Sequence, residues 1–246
     1  MTNSILYLKF LLLWSFLFPA PVLCQTQSLD TGFLFSALQH TKEIYSNSIG
    51  SQSHLYNGVY YKEYNARSTD RGIPYFESDD WVEGTVEYDG ENHEHVSILY
   101  DLVNDKVVIE HGTRGVKLQL IDEKLSYFTL PGHFFVRLVR DSLRNATIQS
   151  GYYDLLCNGE TKFYVRWHKN YLQTIEGLEI QSIFTDHNSY YIYKKGSYFP
   201  VRTKSSVLEV LQDNKSLRKF IRKNNINFRK NRVKAITSIV RFYNEP

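Results

Sequence analysis

The sequence predicts an α+β fold: an antiparallel, curved β-meander sheet covered by an N-terminal helix and by C-terminal helices. Three observations predict it. Between Tyr60 and Arg202, short runs rich in Tyr, Val, Ile and Phe are separated by turn dipeptides, the pattern of strands joined by tight turns. These runs follow one another too closely to leave room for crossover helices, so neighbours are expected to pair antiparallel. After Ser205 the apolar residues recur at the spacing of one helix face.

The elements follow in chain order. Lys9 precedes the apolar run FLLLWSFLF at residues 10 to 18, and Pro19, Ala20 and Pro21 end it ahead of Val22-Leu23-Cys24-Gln25. A run well short of the ~20 residues that span a bilayer reads as a secretory signal peptide over residues 1 to 24. Cleavage before Gln25 is expected; the alternative is a lipid anchor through Cys24, against which Leu23 argues because a small residue is wanted directly before a lipidated cysteine. The mature chain, 25 to 246, is then expected as a single domain in the periplasm or secreted. Of the two cysteines only Cys157 remains in it, so no internal disulfide is expected and the core must hold the fold alone. Cys157, in YYDLLCNGE, reads as a small buried apolar residue before a turn.

FLFSALQHTKEIY, residues 33 to 45, places Phe33, Leu34, Leu38, Ile44 and Tyr45 along one stripe and is the N-terminal helix. The strand runs are WVEGTVEY, VSILYDLV, KVVIEH, VKLQLI, FFVRLV, KFYVRW and SYYIYK, with Asp89-Gly90, Asn104-Asp105, Pro131-Gly132, Asn158-Gly159 and Lys195-Gly196 as turns. In the first run Val82, Val86 and Tyr88 alternate with Glu83, Thr85 and Glu87, so one sheet face is core and the other wet. The C-terminal segment, 205 to 246, holds SSVLEVL behind serine caps, KSLRKFIRKNN with Leu217, Phe220 and Ile221 together, and RVKAITSIVRFY with Val233, Ile236, Val240 and Tyr243 on one side. Three short helices with apolar faces are the natural cover for an open sheet.

Chemistry is sparse. His93 and His95 flank Glu94 in YDGENHEHVSILYD, and in an extended strand they project to the same side; His111 ends a later strand beside Glu110. Together they are a candidate zinc set, but no HExxH or paired-cysteine signature supports it, and no metal or other cofactor is expected. Asp79-Asp80, Asp101, Asp105 and Asp122-Glu123 sit at turns, where carboxyls usually accept from local backbone amides. The sequence has no GxSxG, Gly-rich phosphate loop or cysteine-protease signature, which leaves a hydrolase using carboxylate or histidine residues as the alternative reading.

The 19 tyrosines are many for this length. Adjacent residues of a strand face opposite sides, so Tyr152 with Tyr153 and Tyr190 with Tyr191 put rings on both faces and are the candidate ligand-binding residues. Cross-strand pairs that pin register are the structural alternative.

YNGVYY, IPYF, EGTVEYDG, ILYDLVNDKVVIEH, GHFFVRL, GYYDLLCNGE and VRTKSSVLEVLQDNKSLRKFIRKN, in that order, resemble a family of uncharacterised exported proteins from Gram-negative bacteria over nearly all of the mature chain. The resemblance implies compartment and domain limits, and no assigned activity or catalytic residues. In architecture alone, consecutive curved strands under helices are similar to the periplasmic lipoprotein carriers, whose half-barrel shelters acyl chains.

Charge is unevenly placed. Residues 202 to 246 carry twelve Lys and Arg against three acids, and residues 25 to 201 carry sixteen against twenty-three. Export argues against nucleic acid as the tail's partner. The apolar stripes in the same helices indicate that the tail packs on the acidic sheet; a membrane surface is the alternative partner. The expectation is a non-enzymatic binding or envelope-accessory protein that takes an apolar ligand or a partner protein of the envelope.

Overall fold

The computed structural model describes residues 32, 36–38, 40–41, 54–64, 70–111, 115–141, 147–177, 179–212 and 215–245. The chain divides into two compact units, Met1–Ser48 and Ile49–Pro246. In the first, the described residues are helical, and Thr41 donates to the Ala37 carbonyl at 2.7 Å. Leu38, placed on an apolar stripe by its spacing, is 62% exposed. The signal peptide, Cys24, and the stripe residues Phe33, Leu34, Ile44 and Tyr45 lie outside the described residues.

The second unit is mostly β. Its strands are β1 (Val59–Tyr60), β2 (Val82–Tyr88), β3 (Glu91–Asp101), β4 (Lys106–His111), β5 (Val116–Gln119), β6 (Leu125–Leu130), β7 (His133–Leu138), β8 (Gly151–Cys157), β9 (Lys162–Arg166), β10 (Lys169–Glu176), β11 (Glu179–Asp186), β12 (Ser189–Lys194) and β13 (Ser197–Pro200). The helices α1 (Lys204–Val210), α2 (Lys215–Lys223) and α3 (Arg232–Asn244) follow. An eleven-stranded sheet runs β1-β5-β4-β3-β2-β6-β7-β8-β9-β12-β13, and β10 and β11 form a separate two-stranded sheet. The strand pairs of both sheets are antiparallel. Consecutive pairing holds from β2 to β5 and from β6 to β9; the chain then leaves the large sheet for the β10–β11 hairpin and returns at β12.

The expected turns are where the strands reverse. Asp89 and Gly90 have φ of 55° and 83°, and Lys195 and Gly196 have 49° and 82°, the doubly positive geometry whose twist suits two-residue hairpins. Gly132 follows Pro131 with φ of 78°, as the second central residue of a type II turn requires. The α1 cap differs from expectation: Thr203 is the N-cap and Ser206 completes a capping box, so the serines lie inside the first turn.

Alternation decides burial in β2, where Val86 is 0% and Tyr88 1% exposed while Glu83 faces solvent. Around them Tyr100, Phe128, Phe135 and Tyr152 pack ring to ring in one cluster. A second cluster joins Phe163 and Val165 of β9 and Ile192 of β12 to Val207 of α1, Leu217 and Ile221 of α2, and Ile236, Ile239 and Val240 of α3. Each such side chain contributes ~1.5–3 kcal/mol when fully buried. Cys157 is buried in the same cluster, accepts from Asn244 Nδ2 at 3.6 Å, and has its thiol pKa raised by burial.

Two glycines are fixed by geometry. A Cβ on Gly84 would overlap the Thr129 carbonyl oxygen of β6, and Gly132 holds a positive φ. Gly84→Ala is expected to destabilise by ~1–3 kcal/mol through overpacking and Gly132→Val by ~1–3 kcal/mol through backbone strain. Urea unfolding measures both, and a wild-type midpoint for either variant contradicts the contact or the turn.

Candidate functional site

Of the four candidate tyrosines, two reach a cleft and two do not. Tyr152 and Tyr153 are 1% and 0% exposed, on opposite faces of β8: Tyr152 belongs to the cluster around Phe128 and Tyr153 to a smaller one with Ile148 and Tyr164. Both are therefore core residues. Tyr152 donates to Asp122 at 3.2 Å and Tyr153 to the Gln149 carbonyl at 2.8 Å. Tyr190 and Tyr191 line a cleft of about 540 Å³ between the start of β12, the end of β13 and the first residues of α1 and α3. Tyr153 stands behind Tyr191, their centroids 5.7 Å apart.

The cleft is not the apolar concavity expected from the tyrosines. Arg202, Arg232, His187, Thr203 and Ser206 also line it, with Asp186 as its acid. Arg232 is the first residue of α3, and the burial of Ile236, Ile239 and Val240 fixes that helix against β9 and β12. Its guanidinium lies over the Tyr190 ring, 5.5 Å from the centroid, within cation–π range. Its Nε is buried with no hydrogen-bond acceptor, a state that costs ~1–3 kcal/mol or more for a charged group. Neither Arg202 nor Arg232 has a salt-bridge partner among the described residues. Two guanidiniums face one carboxyl, so the cleft carries a positive field on an aromatic wall.

The histidines of the candidate metal set are kept apart. The β2–β3 register jumps between Gly84 and Val86, and His95 has φ of 56°. This bulge adds one residue to β3 and ends the strict alternation that would put the two histidines on one face. His93 is in register with core-facing Val86, and burial lowers its pKa. His95 is exposed and paired with Glu83 at 2.8 Å, whose hydrogen bond raises its pKa. His111 is 9% exposed against the Tyr56 ring, with centroids 4.9 Å apart. Among the described residues no group of three His, Cys, Asp or Glu is placed to hold a metal ion.

Three of the turn carboxyls, Asp101, Asp105 and Asp122, are occupied. Asp101, 0% exposed, accepts from Tyr61 at 3.0 Å, Tyr64 at 3.1 Å and the Val103 N–H at 2.8 Å. Asp105 accepts from Tyr100 at 2.7 Å and Arg166 at 3.1 Å. Asp122 pairs with Lys106. These networks close the β3–β4 hairpin and its neighbours.

A different histidine and carboxyl meet. Phe135 pairs with Asp154, and Asp154 with Val165, so period-two alternation puts His133, Asp154 and Trp167 on one face of β7, β8 and the end of β9. His133 Nδ1 is 2.6 Å from Asp154 Oδ2, Trp167 Nε1 donates to the same oxygen at 2.9 Å, and Asp154 Oδ1 is buried without a partner. Phe76 sits edge-on to His133 at 4.9 Å, and Glu77 lies 3.7 Å from its Nε2. The hydrogen bond to Asp154 raises the His133 pKa against the opposing effect of burial. A carboxyl-oriented imidazole is half of a general-base arrangement, and no Ser, Thr or Cys side chain bonds to His133 among the described residues.

No protein family, curated protein or solved structure matches the chain.

Because folding raises the His133 pKa, its contribution to stability is complete below the ordinary histidine value of ~6.5 and is lost as pH rises through the folded-state value. His93 and His168, lowered by burial, act in the opposite sense, so the test is a difference. The gap in unfolding free energy between wild type and His133→Asn is expected to shrink as pH rises from ~6 to ~8. A gap independent of pH contradicts the His133–Asp154 pairing.

Proposed function

We propose that this chain is an exported, non-enzymatic binding protein of the cell envelope, built on a curved meander sheet with α1–α3 packed over one end. Its cleft at Tyr190, Tyr191, Arg202 and Arg232 takes a ligand with an anionic group and a flat apolar body. The observation that carries this reading is Arg232: its Nε is buried without an acceptor, and its guanidinium stacks on Tyr190. Buried polar groups are satisfied in folded proteins, and an anion entering the cleft supplies the missing acceptor while Arg202 adds a second charge. Tyr190 and Tyr191 offer rings with polar tips, which suit an aromatic or planar ligand. The sequence leads to an expectation of an apolar ligand or a partner protein of the envelope; the two arginines support an anionic ligand.

A second reading, an envelope hydrolase, is favoured by one observation, the 2.6 Å contact of His133 with the buried Asp154. It requires a nucleophile or activated water at Nε2, the nitrogen that faces Glu77.

The cleft is tested by calorimetric titration with phenyl phosphate, inorganic phosphate and benzyl alcohol. Phenyl phosphate is expected to bind with one-to-one stoichiometry and benzyl alcohol not at all. Arg232→Gln should weaken phenyl phosphate ten- to a hundredfold, since a charged hydrogen bond contributes ~1.5–3 kcal/mol and each ~1.4 kcal/mol is tenfold. Equal affinity in the variant places the anion elsewhere; absence of anion binding refutes the reading.

A further inference from the structure

We propose that the cleft between α1 and α2 is a second binding site, for an anionic amphiphile: Lys204 and Arg222 hold its charged head, and Leu208, Ile221 and Ile226 receive its chain. The cleft, about 510 Å³, has the volume of a small-molecule site, ~300–1,000 Å³. Helical spacing builds it. Lys204 and Leu208 stand four residues apart on one ridge of α1, and Arg218, Ile221 and Arg222 stand three and four residues apart on α2, with Asn225 in the turn that follows it, so each series forms one face.

The end of α2 supplies the rest of the floor. Asn225 has φ of 49° and the Ile226 N–H donates to the Ile221 carbonyl at 3.1 Å, the reversal of a Schellman turn. It folds Ile226 back beside Ile221, which is 4% exposed, and both line the cleft. The result is an apolar floor under a cationic rim. Lys204 and Arg222 are exposed, and neither has a salt-bridge partner among the described residues. An uncharged hydrocarbon would leave the rim unused, and a small inorganic anion would leave the floor wet. A chain that ends in a carboxylate, sulfate or phosphate meets both. The charge count of residues 202 to 246, twelve Lys and Arg against three acids, draws such a ligand toward this segment. This site does not depend on the cleft at Arg232.

The test is calorimetric titration of the full chain with decyl sulfate below its critical micelle concentration, beside decyl maltoside and sodium sulfate. Decyl sulfate is expected to bind as one equivalent, with both controls at least tenfold weaker. Lys204→Gln combined with Arg222→Gln should lose at least tenfold, and Arg140→Gln, at an exposed cation that lines neither cleft, should lose nothing. Should the double variant fold poorly, intermolecular nuclear Overhauser contacts from the decyl chain to the Ile221 and Ile226 methyls of the wild type decide instead. Equal binding by a folded double variant, chain contacts elsewhere, or uptake of many equivalents overturns the proposal. So does sedimentation with phosphatidylglycerol vesicles in the absence of monomer binding, which would make this face a membrane contact.

Discussion

The large sheet depends on β2 being shared. β3 pairs with one edge of β2 and β6 with the other, so two antiparallel runs that leave β2 in opposite directions become one sheet. Sharing requires close approach on both sides. Gly84 permits it where the Thr129 carbonyl faces β2, and Thr129 Oγ1 accepts the Thr85 N–H at 3.0 Å. With both edges paired, Val86 and Tyr88 lose all but 1% of their exposure. They anchor the aromatic cluster that reaches through Phe128 and Phe135 to Tyr152 of β8.

From that anchor the position of each polar group follows from strand pairing. The run β6–β9 fixes the register that sets His133, Asp154 and Trp167 on one face. Beyond it β9 pairs with β12, and β12 with β13, which brings Tyr190 and Tyr191 beside the start of α1. The helices are held by the same strands: Ile236, Ile239 and Val240 of α3 share a cluster with Phe163, Val165 and Ile192. Arg232, at the first turn of that helix, is thus placed by apolar packing rather than by an ion pair. A cation located in this way can keep an unfilled bonding position, because its location does not require a counter-charge.

Much of the fold was legible because the responsible signals are local. Asp-Gly, Pro-Gly and Lys-Gly pairs mark positive φ directly, and the apolar positions Leu217, Ile221, Ile236 and Val240 were readable as helix faces. The β10–β11 hairpin is not legible in the sequence. Leu172 and Ile175 are 62% and 75% exposed there, so no apolar-polar alternation announces it. Long-range relations were illegible for a physical reason. The bulge that separates His93 from His95 is one extra residue visible only in the β2–β3 register. The meeting of His133 with Asp154 depends on a pairing across a twelve-residue connection between β7 and β8. Composition points to Tyr190 and Tyr191, whereas Arg232 is in sequence only one charge of the basic segment, since nothing in its neighbourhood of the chain says that it lies over a ring.

The proposed anion site turns on the buried Arg232 Nε–H, a donor without an acceptor in the protein. Its most direct test is a ¹⁵N-resolved NMR titration of the arginine Nε–H signals with phenyl phosphate, assigned by comparison with Arg232→Gln. With phenyl phosphate bound, the Arg232 signal should move downfield, saturate with the binding isotherm and become slower to exchange with water, while the signal of Arg166, whose buried Nε likewise lacks an acceptor but which does not line the cleft, stays in place. An Arg232 signal that does not respond while phenyl phosphate binds would show that the anion does not reach this group.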